Sequence, residues 1–520
     1  MSTVKVLHDT AEDIQNLHTN LVNTFESGKT KDLAWRKWQL KQLWWMLEDN
    51  EKEFTAAMKE DLNRSSIESM ITDFAGARKD ILYHLQHIDQ WAADEPLGDT
   101  FVAKQLRLAR IRKEPLGVVL IIGAWNFPLL LVLQPLIAAI TAGCCAIIKP
   151  SELIPSCQAL LKHLIPKYLD KSAIGVVCGA VAETTSLLEL RFNHIFFTGS
   201  ATVGRIVSAA AAKNLTPLTL ELGGQCPAII CKSANIDRAA KCVAFSKFLN
   251  SGQICLSVNH VFVDPSVYDQ FTECLKYWIQ TFLNGQLTVD TAIVNPSHFD
   301  RLLNLICNTE GRIFYGGTGN RETRRMEPTV VLDVDINDTL LRDEIFGPIC
   351  PIIKSDFRSA YIATKQKGHP LAMYIFSNDK SEVQEVLDNT NSGGVTVNDV
   401  ILHAGFSGAP FGGVGSSGHG YYHGAYGFNS FTHFRTVMNS PSWLERALTF
   451  RYPPFNSMET PKSFKLRAKF KRGESINDQR RKPAVLGSKG VYLSAAVTVL
   501  GALYYYFYHY LSRSEIVYSQ

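Results

Sequence analysis

Apolar and polar positions change their spacing along this chain, and each change marks a part of it. From residue 8 to 95 the spacing is helical. Leu40, Leu43, Trp44 and Leu47 recur at i, i+3, i+4 and i+7, which builds one apolar face for packing. The tryptophans of this stretch read as core, with a binding platform as the lesser alternative. Over residues 100–113 the apolar positions Phe101, Ala103, Leu106, Leu108 and Ile111 are interspersed with charged ones. That pattern predicts a strand with one exposed side.

From Gly117 short apolar runs appear: Val118–Ile122, Ala146–Ile148, Ile174–Val177 and His194–Phe197, separated by helix-like segments. Strands alternating with helices predict a parallel sheet flanked by helices. A second α/β unit follows over residues 222–430, and the chain has no internal repeat. Past Pro441, Trp443, Leu444, Ala447 and Leu448 suggest a short helix that Pro453-Pro454 stops. Residues 457–490 hold few large apolar side chains and read as a linker.

Val491–Leu511 is a run of 21 residues without Asp, Glu, Lys or Arg. At about 1.5 Å per residue it reaches across a hydrocarbon core of roughly 30 Å. Its second half carries Tyr504, Tyr505, Tyr506, Tyr508 and Tyr510, side chains that favour the membrane interface. The run is read as a transmembrane tail anchor, with an interfacial helix and a soluble helix as the other readings.

Composition narrows the class. A chain of 520 residues exceeds one hydrophobic core, so two or more domains are expected. Hydrophobic content of 46% and charged content of 20% fit a folded globular protein. The 11 cysteines are scattered, Cys144 and Cys145 are adjacent, and no CxxC pair occurs. With no signal peptide over Met1–Asn16, a reducing compartment is expected in place of a disulfide framework, and no metal site is expected. The net charge of +4 is uneven: Lys462–Lys489 holds ten Lys and Arg against Glu474 and Asp478. Basicity confined to this segment argues for a surface partner there and against nucleic-acid binding by the whole protein. Beside an anchor it would face the cytosol.

The chemistry centres on Asn250-Ser251-Gly252-Gln253-Ile254-Cys255. Gly252 permits a tight turn that can present the cysteine sulfur to a cleft. A thiolate is a strong nucleophile toward carbonyls, although a lone Cys is as readily a small buried hydrophobe. Upstream, Leu220-Glu221-Leu222-Gly223-Gly224 sets an acid beside a glycine pair, and Trp125-Asn126-Phe127-Pro128 sets an amide after an apolar run. Nucleophile, carboxylate base and amide donor are the parts of covalent carbonyl chemistry. Gly199-Ser200-Ala201-Thr202-Val203-Gly204 follows a strand and opens a helix. Such a helix start suits a phosphate, and an ordinary strand–helix turn remains the alternative. Lys149 and Glu152 follow another strand, where α/β sheets bind ligands.

Taken in order, Trp125–Pro128, Lys149-Pro150-Ser151-Glu152, Phe197–Ser200 with Gly204, Glu221–Gly224, Gly252–Cys255, Glu344-Ile345-Phe346-Gly347-Pro348 and Pro410–Gly415 resemble the aldehyde dehydrogenase superfamily. The likeness runs over roughly residues 30–440. Its end, Ser417–Gly424 with Phe428 and Phe431-Thr432-His433, resembles the class 3 branch, which includes the fatty aldehyde dehydrogenases.

The resemblance implies a modified Rossmann cofactor domain (1–95 and 116–221), an α/β catalytic domain (222–430) and a small β oligomerisation arm (96–115 and 431–445). The linker 457–490 and the anchor 491–511 would follow. It implies NAD as cofactor, with NADP also accepted by class 3 relatives. Gly199, Ser200 and Gly204 would bind the dinucleotide, Lys149 and Glu152 would face the adenosine ribose, and Glu344 and Phe346 would reach the nicotinamide end. Cys255 would attack the aldehyde carbon, Asn126 would hold the oxyanion, and Glu221 would activate water against the thioester. A homodimer is implied. The anchor points to medium- to long-chain aliphatic aldehydes as substrates and to membrane lipid as a partner. The endoplasmic reticulum is the first membrane expected, with the mitochondrial outer membrane, the peroxisome and the lipid droplet as alternatives. The same chemistry on small aromatic aldehydes and a catalytically silent membrane-tethered scaffold are the rival functions.

Overall fold

The computed structural model describes residues 6–97, 109–442, 445, 451–454 and 472–480. The chain divides into two units, Met1–Asn439 and Ser440–Gln520.

The first unit opens with helices Ala11–Glu26, Leu33–Asp49, Glu51–Leu62 and Ala75–Ala92. Thr10 and Asp13 form a capping box on the first, and the Asp32 side chain caps the second. Leu40, Leu43 and Leu47 are fully buried, as their spacing requires. The tryptophans are not all core: Trp38 and Trp45 are 57% and 53% exposed. A helix turns about 100° per residue, which carries positions 38 and 45 away from the 40–43–47 face.

Strands β1 (Glu95–Leu97) and β2 (Ala109–Pro115) pair antiparallel. The first parallel sheet follows: β3 (Val118–Ile122), β4 (Cys145–Lys149), β5 (Ile174–Val176), β6 (His194–Thr198) and β7 (Leu218–Glu221). Every residue of β3 and β4 is buried, which explains their unbroken apolar text. The spatial order is β7-β6-β3-β4-β5. The chain therefore runs from β3 outward to β5, then crosses to the other side of β3. That reversal opens a crevice at the carboxyl ends of the strands.

The second sheet takes β8 (Pro227–Ile230), β9 (His260–Val263), β10 (Arg312–Tyr315), β13 (Thr329–Leu332), β14 (Ile349–Lys354), β15 (Ala372–Phe376) and β16 (Gly394–Val397). Between β10 and β13 stands a small hairpin of β11 (Gly319–Asn320) and β12 (Arg325–Met326). The sheet order is β10-β13-β14-β9-β8-β15-β16. The apolar run beginning at Val258 becomes strand only from His260. Asn259 instead donates its N–H to the Cys226 carbonyl at 2.7 Å and accepts the Ile345 N–H at 2.9 Å.

The chain then returns to the first parallel sheet. β17 (Gly418–His419) pairs antiparallel with β7, Gly418 opposite Glu221. β18 (Thr432–Met438) pairs along β2 from Thr432–Pro115 to Met438–Ala109, completing a sheet in the order β1-β2-β18. All 11 cysteines are free.

In the second unit, Ser475 and Asp478 hold the start of a short helix, Ile476–Arg480, within the linker. No helix among the described residues is long and apolar enough to cross a membrane. The run 491–511 lies outside the described residues, as do Trp443, Leu444, Ala447 and Leu448.

Candidate active site

The turn before Cys255 is held in an uncommon backbone. Asn250, Ser251 and Gly252 have φ of 51°, 52° and 69°, successive left-handed residues. Each non-glycine residue there costs on the order of 1–3 kcal/mol, so surrounding bonds must impose the shape. Asn250 Nδ2 donates to the carbonyls of Asn126 and Gln253, both at 3.0 Å, and Ser251 Oγ donates to the Thr291 carbonyl at 2.6 Å. Gln253 Nε2 donates to the carbonyls of Asn250 and Ala292, and its Oε1 accepts the Val294 N–H at 3.0 Å. A Cβ on Gly252 would collide with the Gly347 carbonyl oxygen. The turn hands on a half-buried Cys255.

Asn126 follows the end of β3 and is 3% exposed. Its Nδ2 donates to the Gln253 carbonyl at 3.1 Å, one link of the cysteine's own turn. An amide nitrogen carries two hydrogens, so one remains for a ligand. Glu221 ends β7 and is 4% exposed. Neither of its carboxyl oxygens has a hydrogen-bond partner among the described residues, and burial pushes its pKa well above the usual carboxylate range. Burial likewise pushes the Cys255 thiol well above its ordinary value, with Glu344, Cys226 and Glu221 adding to the rise. Cys255's own backbone N–H, directed at the sulfur, acts the other way. The structure thus brings Cys255, Glu221 and Asn126 together from separate elements.

The residues expected to meet the cofactor come from both sheets. Gly199 follows β6 and donates its N–H to the Glu221 carbonyl at 3.1 Å. Ser200 caps the helix Ala201–Lys213, its Oγ accepting the Val203 N–H at 3.3 Å. Gly204 lies where a Cβ would come within 2.9 Å of Leu222 Cδ2, so the helix approaches the end of β7 closely. Lys149 ends β4, is buried, and pairs through Nζ with Glu152 Oε2 at 2.9 Å. Glu344 lies against the backbone of Gly223, where a Cβ would collide with its carboxylate. Burial pushes Glu344 up to about 8, opposed by a bond from Gly224 and by the charges of Arg301 and Lys247. Phe346 has φ of 50° and meets the Trp125 ring edge-on at 5.4 Å.

A nucleophile, a carboxyl and an amide facing a switch-point crevice suit oxidation of a carbonyl with a dinucleotide. The model of the aldehyde dehydrogenase family matches residues 2–437. This chain belongs to the aldehyde dehydrogenase family. It is 43% identical over 441 residues to beta-apo-4'-carotenal oxygenase of Neurospora crassa, covering 84% of this chain and 83% of that one. It is 40% identical over 435 residues to the dog enzyme called aldehyde dehydrogenase, dimeric NADP-preferring, covering 83% and 95%. Among solved structures, substrate-bound Staphylococcus aureus AldH superposes with a TM-score of 0.79 at 35% identity, covering 82% and 94%.

This aldehyde dehydrogenase oxidises aldehydes with NAD or NADP. Its own geometry fits a dinucleotide: a capped helix start, a close helix-to-strand approach and a Lys–Glu pair share one sheet edge. Sequence reasoning missed Cys226 and Tyr422. Cys226 Sγ donates to the Cys255 carbonyl at 3.2 Å. Tyr422 is buried, and its pKa is pushed well up by burial first and then by Glu221 and Cys255. Only the pairing of Phe411 with Tyr422 and of β17 with β7 brings that tyrosine here.

Proposed function

We propose that this aldehyde dehydrogenase oxidises medium- to long-chain aliphatic aldehydes to carboxylic acids while anchored to a membrane through residues 491–511. The observation that carries the substrate reading is the apolar setting of the nucleophile. Cys255 packs against a cluster that contains Phe127 and Ile254, and Leu249, Ile401 and Phe411 pack against the same cluster. A methylene buried against such a wall contributes about 0.8 kcal/mol, roughly a fourfold effect on kcat/KM. The relative named for an apo-carotenal, itself a long apolar aldehyde, supports this reading.

In this reading the Cys255 thiol gives its proton to water, and the thiolate bonds to the aldehyde carbon as the carbonyl π electrons move onto oxygen. The Asn126 amide and the Cys255 N–H hold the resulting oxyanion; one such donor is worth about 2.7–4 kcal/mol of barrier. NAD or NADP supplies the hydride acceptor. The acyl group stays on the sulfur as a thioester, and Glu221 takes a proton from the water that releases the acid. The carboxylate form of Glu221 is the base; the burial that raises its pKa makes that form more basic and also less favoured. Lys149 and Glu152 would face the ribose, Ser200 the phosphates, and Glu344 and Phe346 the nicotinamide end. Lying close to a 2′-phosphate, Glu152 would repel it, which favours NAD over NADP.

The basic linker would face the cytosol from the endoplasmic reticulum, and the enzyme would act as a homodimer. Steady-state rates over an aldehyde chain-length series, with each cofactor, test the substrate reading. A rise of kcat/KM of about fourfold per methylene is expected. A series that peaks at small aromatic aldehydes would refute it. For the anchor, full-length protein should resist alkaline carbonate, and protein lacking 490–520 should be soluble and active. Full-length protein released by carbonate would count against a spanning tail.

A further inference from the structure

Among the described residues Arg64 heads the large side chains wholly excluded from solvent, and it lies beside the site. It stands between the helices Glu51–Leu62 and Ser66–Ser69. One guanidinium nitrogen, Nη1, pairs with Asp73 Oδ2 at 2.7 Å, both side chains being fully buried. The other, Nη2, donates to the Asn126 carbonyl and, at 2.6 Å, to Asn250 Oδ1. Asn250 Nδ2 in turn donates to the carbonyls of Asn126 and Gln253.

Asp73 grips the far end of the same segment. Its Oδ1 accepts the N–H groups of Leu129 at 2.9 Å and Leu130 at 3.0 Å. It sits on a single π-helical turn, Met70–Phe74, inserted before the helix Ala75–Ala92. Single π-helical turns are frequent at functional sites. Asn126 to Leu130 is thus clamped at both ends by one buried ion pair, and the cation also holds the turn that carries Cys255.

We propose that Arg64, braced by Asp73, is a positioning residue that sets the Asn126 amide against the Cys255 sulfur. It touches no reacting atom. A buried cation is costly unless it is paired; here Nη1 meets Asp73, Nε has no partner among the described residues, and Nη2 bonds the two segments whose relative position decides the oxyanion geometry. A planar fork can hold both acceptors and the carboxylate at once, whereas a lysine ammonium acts as a point charge. Misplacement by about 1 Å can cost about a hundredfold in rate. The proposal rests on the reading of Asn126 as the oxyanion donor.

The experiment measures the rate of the NADH burst with a saturating aldehyde, alongside dinucleotide Kd and Tm, in Arg64→Lys, Asn126→Ala and the double variant. Asn126→Ala should slow the burst about 100- to 1000-fold. Arg64→Lys keeps the buried charge and should bind NAD as the wild type does, yet slow the burst about 10- to 100-fold. In the Asn126→Ala background it should slow the burst no further, because the amide it positions is gone. An equal slowing in both backgrounds, or a wild-type burst in Arg64→Lys, overturns the positioning role and leaves Asn126 as the donor. A wild-type burst in Asn126→Ala overturns the donor reading and this proposal with it. Should Arg64→Lys fail to fold, Asn250→Asp keeps the ion pair and the left-handed turn but loses both Nδ2 donations. It should slow the burst about tenfold in the wild type and not in Asn126→Ala; equal slowing in both overturns the proposal.

Discussion

Gly252 and Gly347 meet backbone to backbone, leaving no room for a Cβ on the first. The contact joins the turn that carries Cys255 to the loop that carries Glu344 and Phe346. Gly252 also holds φ of 69°, which an alanine adopts only under strain. Gly252→Ala should therefore lose at least about 1 kcal/mol of stability from the backbone alone. The displaced turn should cost activity more than stability, about a hundredfold in kcat. Thermal unfolding and steady-state rates together check this, and an active Gly252→Ala enzyme would show that the turn tolerates movement.

Glu221→Gln should separate the two half-reactions. The amide cannot take a proton from water, while hydride transfer does not need that base. A stoichiometric NADH burst followed by slow turnover is expected in rapid-mixing traces. If the burst disappears with the turnover, Glu221 instead activates Cys255, whose thiol is held well above its ordinary pKa.

Cofactor choice should respond to Glu152. Its pair with Lys149 sets a carboxylate at the crevice. Glu152→Gln removes like-charge repulsion toward a 2′-phosphate, so the NADP/NAD ratio of kcat/KM should rise. An unchanged ratio would place this side chain away from the ribose.

Acid should destabilise the fold in part through His194. The ring is buried, shares a 3.0 Å hydrogen bond with Thr219, and burial lowers its pKa to about 4. The unfolded chain takes a proton near 6.5, so this group's contribution is intact above pH 6.5 and is lost as pH falls toward 4. The slope from this group is about 1.4 kcal/mol per pH unit. Glu344 acts with the opposite sign, since its pKa of about 8 makes stability fall as pH rises from 4.5 to 8. Urea unfolding of wild type and His194→Asn at pH 7 and pH 5.5 isolates the histidine. The gap between the two proteins should shrink at the lower pH.

Much of this enzyme is set by short-range chemistry that the sequence carries openly. β3 occupies Val118–Ile122, where the apolar run stands, because a strand buried on both faces must be apolar throughout. Cys255, Glu221 and Asn126 stood out as candidates because nucleophile, acid and amide each stand beside turn-forming or strand-ending residues and within motifs that resemble the family's. Leu40, Leu43 and Leu47 pack as their spacing demands, whereas Trp38 and Trp45 do not join them, since size and apolarity do not decide which side of a helix faces the core.

Tertiary structure alone decided the rest. Arg64 and Asp73 stand in a stretch whose apolar spacing marks a helix but not which of its charged residues turn inward, and their burial follows from a π-turn and from partners far along the chain. Tyr422 reaches the site because Gly418 pairs with Glu221 and Phe411 pairs with Tyr422 itself. A sequence can specify which groups are able to donate or accept a proton. Whether a carboxyl such as Glu221 keeps its ordinary acidity depends on the water taken from it, and that water is removed only when distant segments close over it.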